Sequence, residues 1–268
     1  MQYNEIKIKY HSKKEWFNLI PIGDVHLGHI GCELKKLKEL VDWIANKENT
    51  YWLGMGDYID AINYTDPRFD PKTVDISRAE MDKIIQIQIE KIIDIFEPIK
   101  DKCLGLHRGN HEETIRRHYI YDVVYEMAKE MGLQSNQILL DAAITRLKFN
   151  RLKARHSFDI FSTHGNVGGR KGGIKINRLE DLIGFFDADV YLIAHAHIKA
   201  SEIKTQLYYD NHGNLKQKKK ILAVTGAFLK GYEHNQTSYV EKWMYPPTDI
   251  GVVKIMFQPE TGDIHISL

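Results

Sequence analysis

Disulfides are the first thing this sequence rules out. Two cysteines, Cys32 and Cys103, cannot frame a fold of 268 residues, and a reducing compartment is the expected setting. Long apolar runs are missing too: none approaches the roughly twenty residues of a membrane-spanning helix. The N-terminus, Met1-Gln2-Tyr3-Asn4-Glu5, lacks the apolar centre of a secretory signal. Nor is there an excess of one charge. Lys and Arg number 37 against 36 Asp and Glu, and a net charge of +1 gives no global field toward nucleic acid or membrane. With 43% apolar and 27% charged residues the chain has material for a substantial core. No repeat, linker or low-complexity tract interrupts it, so it reads as one domain over 1–268, soluble and cytoplasmic.

What is present is a succession of strand-like runs and helical stripes. Residues 3–10 alternate imperfectly, and 16–22 form a mostly apolar run. Leu34, Leu37, Val41 and Ile44 mark a helix over 33–46, and 50–55 reads as a short apolar strand, so the start is strand, helix, strand, the pattern of parallel strands with a crossover helix. A loop over 63–75 with Pro67 and Pro71 precedes a long Ile-rich helix reaching Phe96. An apolar run over 102–106 leads through Gly109-Asn110-His111-Glu112, read as a turn, into a helix from Glu113 onward. A second stripe, Tyr121 to Met131, stops at Gly132. Strands over 144–149 and 157–162 join through a turn at Asn150-Arg151; a helix over 175–186 and a buried strand over 190–193 follow. The period then changes to 2, with hairpins over 202–225 and 250–268 flanking an aromatic stretch, 226–249. The expected fold class is α/β with two sheets, the second richer in antiparallel pairs.

Five short stretches each follow an apolar strand-like run: Gly23-Asp24-Val25-His26, Gly56-Asp57-Tyr58-Ile59-Asp60, Gly109-Asn110-His111-Glu112, Thr163-His164-Gly165 and Ala194-His195-Ala196-His197. A sheet gathers such turns at one edge, where open α/β sheets bind ligands. Asp24, His26, Asp57, Asn110, His164, His195 and His197 together offer more mixed N and O donors than one tetrahedral zinc uses, and structural zinc sites prefer thiolates. The set suits two adjacent divalent ions bridged by one carboxylate, an arrangement that clamps a phosphoryl group. His195 and His197, two residues apart, reach different ions only if their segment bends.

In their order these blocks resemble the calcineurin-like metallophosphoesterase superfamily, whose motifs run D-x-H, GDxxD, GNH[ED], H and GHxH; Ala194 stands where the family more often has Gly. The resemblance implies a four-layer α/β/β/α sandwich of two mixed sheets with the metal site at strand C-terminal ends. It implies that Asp24, His26, Asp57 and His197 hold one metal, that Asp57 bridges to a second completed by Asn110, His164 and His195, and that His111 donates a proton or contacts phosphate. Asp60 and Glu112 stand behind the ligands. Imidazole suits Zn, Fe or Ni and oxygen donors suit Mn; the family suggests Mn.

The implied activity is hydrolysis of phosphate esters, with a phosphodiester of a nucleotide or nucleic acid as first choice and a phosphomonoester as second. Ala61 follows Asp60 where protein Ser/Thr phosphatases carry Arg, and Ile59-Asp60 occupies the place of the tyrosine ligand of purple acid phosphatases. Asp24-Val25-His26-Leu27-Gly28 is similar to the opening of double-strand-break repair nucleases, whose capping domain has no room after residue 197. A binding scaffold like the retromer subunit of this fold is the competing class, and the full set of ligands with His111 speaks against it. Arg116 and His29 are candidates for substrate contact. His107 and the other histidines read as structural or surface. Gly168–Gly173, with Arg170 and Lys171, is a flexible loop at least as readily as a phosphate contact. Lys216 and Lys218 to Lys220 read as guards on an exposed edge strand.

Overall fold

The computed structural model describes residues 1–62, 66, 69–75, 78–166, 172–232, 239–242, 244 and 246–268. The chain runs β1 (Gln2–Lys9), β2 (Phe17–Ile22), α1 (Leu34–Asn46), β3 (Thr50–Gly54), α2 (Ile84–Phe96), β4 (Cys103–His107), α3 (Asn110–Tyr119), α4 (Val123–Glu130), β5 (Ile138–Leu140), β6 (Ala142–Arg151) and β7 (Ala154–Thr163). It continues through α5 (Gly172–Ile183), β8 (Val190–Ile193), β9 (Lys199–Tyr209), β10 (Leu215–Ala227), β11 (Gly251–Val252), β12 (Lys254–Gln258) and β13 (Asp263–Ser267). One sheet has the order β1-β6-β7-β8-β10-β11 with β9 also on β10; the other has the order β13-β12-β2-β3-β4-β5.

The period-2 alternation of the strands sorts their apolar side chains onto two faces, and three cores result. Leu53 and Leu104 of one sheet meet Leu147, Phe158, Ile160 and Leu192 of the other between the sheets. Trp52, one residue from Leu53, points the other way and packs with Leu37 and Val41 of α1, Ile92 and Phe96 of α2, and Met127 of α4. Its indole N–H donates to the Ile99 carbonyl at 2.8 Å, which satisfies the one polar atom of a fully buried side chain. On the far side Ile176 and Leu179 of α5 cover Phe161, Tyr191 and Val224. Helices therefore flank two stacked sheets, the expected α/β/β/α order. β2, β3 and β4 run parallel, as do β7 and β8. Covered on both sides, β8 is buried at every position, as a parallel strand between layers must be.

Strand pairing departs from chain order at both ends. β1 joins the sheet of the later strands, parallel to β6 with Ile6 opposite Leu147 and Ile8 opposite Phe149. The final hairpin β12–β13 joins the sheet of the early strands, with Ile255 opposite Leu19. The β6–β7 turn falls at Leu152-Lys153, not Asn150-Arg151, because Asn150 is still in the ladder opposite Arg155 and Arg151 holds Glu260 at 2.7 Å. α3 begins at Asn110, so Asn110 and His111 lie in its first turn and not in the preceding one. Of the lysine row only Lys220 departs from the edge reading: β8 pairs with β10 over Ile221 to Val224 alone, so Lys216, Lys218 and Lys219 have a ladder partner only in β9. Lys220 is buried, donating to Asp187 Oδ1 and the Ala188 carbonyl at 2.8 Å each. Gly168 to Lys171, Trp243 and Tyr245 lie outside the described residues. Of the aromatic stretch, Phe228 is buried in the core between α1, α2 and α4 and the sheet of β2, β3 and β4.

His107, at the end of β4, is fully buried and ties the two sheets together. Its Nδ1–H donates to the Leu140 carbonyl at 2.9 Å, which leaves Nε2 to accept from Ser162 Oγ on β7 at 2.7 Å. Burial, with His164 nearby, lowers its pKa to about 4 from an ordinary 6.5. Between those values the unfolded chain binds a proton that the folded one refuses. The contribution is therefore complete above about pH 6.5 and lost as the pH falls toward 4, about 3 kcal/mol at most. We expect metal-free wild type to lose urea resistance between pH 7 and 4.5 more steeply than H107Q. At pH 7 the variant should be less stable by about 1–3 kcal/mol, because the Leu140 carbonyl and the Ser162 hydroxyl lose their partner. Equal slopes would refute the assignment.

Candidate metal centre

Each of the five motifs sits where a strand ends. Asp24 and His26 follow β2, Asp57 and Asp60 follow β3, Asn110 and His111 follow β4, His164 follows β7, and His195 and His197 follow β8. The chain turns sharply at these points. Asp24, His26, Asp57, His195 and His197 all have left-handed backbone, with φ between 49° and 63°. Such conformations are uncommon for residues with a Cβ and gather at functional sites, where packing around them enforces the geometry.

Two glycines let the loops meet. A Cβ on Gly56 would lie 2.5 Å from the Gly109 nitrogen, and one on Gly109 would lie 2.1 Å from Asp57 Oδ1. The Glu112 carboxylate then clamps the two loops. It accepts from the backbone N–H of Asp57 (2.9 Å), Tyr58 (2.7 Å), Ile59 (3.3 Å) and Gly109 (2.9 Å), the last being the return half of a helix capping box. Burial and then the charge of Asp57 push Glu112 upward, while His111, His164 and the backbone N–H of Ile59 oppose them. With N–H donors on both its oxygens, we take it as ionised.

The candidate donors fall into two adjoining groups. Asp24, His26 and His197 present ligand atoms within 4.8 Å of one another, as do Asp57, His164 and His195. Asn110 belongs with the second, its Oδ1 lying 3.1 Å from His164 Nε2. Asp57 faces both: its Oδ1 accepts the backbone N–H of His111 at 3.0 Å, and its Oδ2 lies 3.4 Å from His164 Nε2 and 3.9 Å from His26 Nε2. In the first group His26 Nε2 and His197 Nε2 are 3.1 Å apart, and His197 Nε2 is 3.6 Å from Asp24 Oδ1.

This donor set fits divalent cations. Among the described residues neither carboxylate oxygen of the fully buried Asp24 has a hydrogen-bond partner, an arrangement that is strongly unfavourable without a counter-charge. Burial, and then the neighbouring charge of Asp57, push Asp24 up to about 8 against the pull of His164. Burial also opposes ionisation of Asp57, but His164, His111 and His26 outweigh it and hold its carboxyl well below the usual range. His26 and His197 are held well below 6.5, by burial first and then by neighbouring imidazoles. Imidazoles kept neutral keep their lone pairs for coordination. His164 is the exception. Burial opposes its protonation, but Asp57 raises it to about 10.

A third cluster, His26, Asp60 and His111, stands behind the first. The His111 Nδ1–H donates to the Asp60 carbonyl, and the Asp60 side chain lies 3.7 Å from His26 Nδ1. Arg116 is about half exposed and forks onto Glu113 at 2.7 and 2.8 Å; Arg117 and Arg108 share that same carboxylate. The half-buried His29 accepts from the Gly31 N–H through Nδ1 at 2.9 Å, so its neutral ring carries the proton on Nε2. Two features have no signal in the sequence. The Phe228 N–H holds the Asp24 carbonyl at 2.9 Å, and Lys175 of α5 reaches the Ala196 carbonyl at 2.8 Å.

Comparison with solved structures finds a metallophosphoesterase from Sphaerobacter thermophilus (10% identity, 93% of this chain and 87% of that one, TM-score 0.40). It also finds a conserved predicted phosphoesterase from Streptococcus pneumoniae TIGR4 (10%, 91% and 84%, TM-score 0.35) and Chaetomium thermophilum Vps29 (11%, 94% and 93%, TM-score 0.36). A comparison with curated proteins finds no match. The family model for calcineurin-like phosphoesterases matches residues 17–199, a span that runs from β2 to the start of β9 and holds every candidate ligand. With that match over more than half its length, this metal-dependent phosphoesterase belongs to the calcineurin-like phosphoesterase family.

Proposed function

We propose that the chain hydrolyses phosphodiesters of nucleotides or nucleic acid, with two divalent ions, Mn being the family's suggestion, held by the two donor groups. The position of Asp57 carries the reading. One carboxylate oxygen is fixed by the His111 N–H, and the other lies toward histidines of both groups. Asp24, His26 and His197 would hold one ion and Asn110, His164 and His195 the other, with Asp57 shared. When bound, such a pair supplies an activated water and neutralises charge that develops on the phosphoryl group.

The remaining work falls to the chain's own groups. His111 lies on the first turn of α3, whose N-terminus favours an anionic phosphate. Because a carbonyl only accepts, the Asp60 carbonyl fixes the proton on His111 Nδ1, and Nε2 is the atom that carries a second proton to a leaving oxygen. His29, with its proton on Nε2, would donate to a substrate oxygen. A diester is favoured over a monoester because Arg108, Arg116 and Arg117 all share Glu113, so among the described residues this cationic charge is already paired and a dianion gains little from it. A cytoplasmic setting agrees with two free thiols, Cys32 and Cys103, and with the absence among the described residues of a helix long and apolar enough to cross a membrane.

Assays with Mn on bis-p-nitrophenyl phosphate, p-nitrophenyl phosphate, cyclic nucleotides and single- and double-stranded DNA test the substrate class. The expected result is a higher kcat/KM on diesters; a preference for the monoester overturns it. D57N should bring metal content after dialysis from about two ions per chain toward zero, since an uncharged amide replaces the shared ligand. A variant that retains both ions removes Asp57 from the bridge. H111A should bind two ions normally yet lose at least about a hundredfold in kcat on esters with poor leaving groups. Esters of p-nitrophenol should lose less, since their leaving group needs little protonation. Wild-type rates on both kinds of ester would leave His111 as a structural cap.

A further inference from the structure

His195 and His197 pose a geometric problem. In an extended segment residues i and i+2 point the same way, yet here His195 lies with Asp57 and His164 while His197 lies with Asp24 and His26. Left-handed backbone at both histidines, φ 63° and 51°, makes the divergence. The peptide between them carries the Ala196 carbonyl, and this is the carbonyl that accepts from Lys175 Nζ at 2.8 Å.

Lys175 is an unexpected residue for that place. It is only 7% exposed, and burial lowers its pKa. It also lies in the first turn of α5, where the helix dipole disfavours a cation. Both costs must be offset by what the ammonium contacts. Its neighbours Ile176 and Leu179 pack with Ala196, Ile193 and Tyr191, so the helix that carries the ammonium is seated on the strand that carries the histidines.

We infer that Lys175 is a positioning residue. Its ammonium fixes the orientation of the Ala196 peptide and so holds His195 and His197 divergent, one toward each donor group. This rests on the reading of those groups as two metal sites, and the test separates the two ideas. Metal-free wild type, K175M and K175R are titrated with Mn²⁺ by calorimetry and with Co²⁺ by visible absorption, after far-UV circular dichroism confirms folding. Wild type taking up fewer than two ions would overturn the dinuclear reading itself.

With two ions bound by wild type, K175M should bind one of them at least about tenfold more weakly and show an altered Co²⁺ spectrum, as changes behind metal ligands commonly do. K175R, which still offers a cationic donor to the carbonyl, should recover part of both signals. K175M binding both ions with wild-type affinity and spectrum overturns the positioning role. Should K175M fail to fold, K175Q is titrated in its place, with the same weakening expected and the same wild-type result overturning the role.

Discussion

Burying the Asp57 carboxylate without a positive partner is prohibitive, and much of the molecule is arranged around keeping it charged. It sits among His164 and His26, on two other loops, and His111, in the first turn of α3. Bringing those loops together requires glycine at 56 and 109, where any side chain would strike the opposite loop. It also requires Glu112, whose buried carboxylate collects backbone N–H groups from both. A second buried acid, Asp24, whose carboxylate oxygens lack a hydrogen-bond partner among the described residues, lies beside this arrangement. Two buried acids beside imidazoles that burial holds neutral form a donor set that divalent cations complement.

The two sheets serve that site by alignment. β2, β3 and β4 in one and β7 and β8 in the other deliver their C-terminal ends to one edge, so ligands from distant parts of the sequence converge on two adjoining groups. His107 connects the sheets close to that edge, between the strands that lead to Asn110 and His164. Outside the edge, α1, α2 and α4 cover one sheet and α5 the other. Rigid layers below and strained turns above separate the part that holds shape from the part that holds ligands.

Electrostatics within the edge are uneven, and the unevenness has a use. Burial keeps His26 and His197 neutral and ready to coordinate, while the same burial is overcome at His164 by Asp57. His111 is oriented by the Asp60 backbone carbonyl, which fixes its tautomer. The arginines nearest on α3 are occupied with Glu113, so the surface beside the site is less basic than the sequence Arg116-Arg117 suggests.

The sequence by itself determined the local elements and the identity of the donors. Helical stripes such as Leu37, Val41 and Ile44 depend only on residues three or four apart, and the motifs after the apolar runs are contiguous, so both are legible without knowing the fold. Tertiary structure alone decided which strands pair. Placing β1 beside β6 and β12 beside β2 rests on contacts across more than a hundred residues, to which no local period responds. It also decided what single residues mean. His107 and Lys220 have the composition of surface residues and are buried with partners contributed by other segments. Lys175 finds its acceptor only because α5 packs on the sheet that ends in His195 and His197. A sequence specifies which groups are available. Which of them meet is set by packing, because burial and hydrogen-bond partners are properties of the folded neighbourhood and not of the residue.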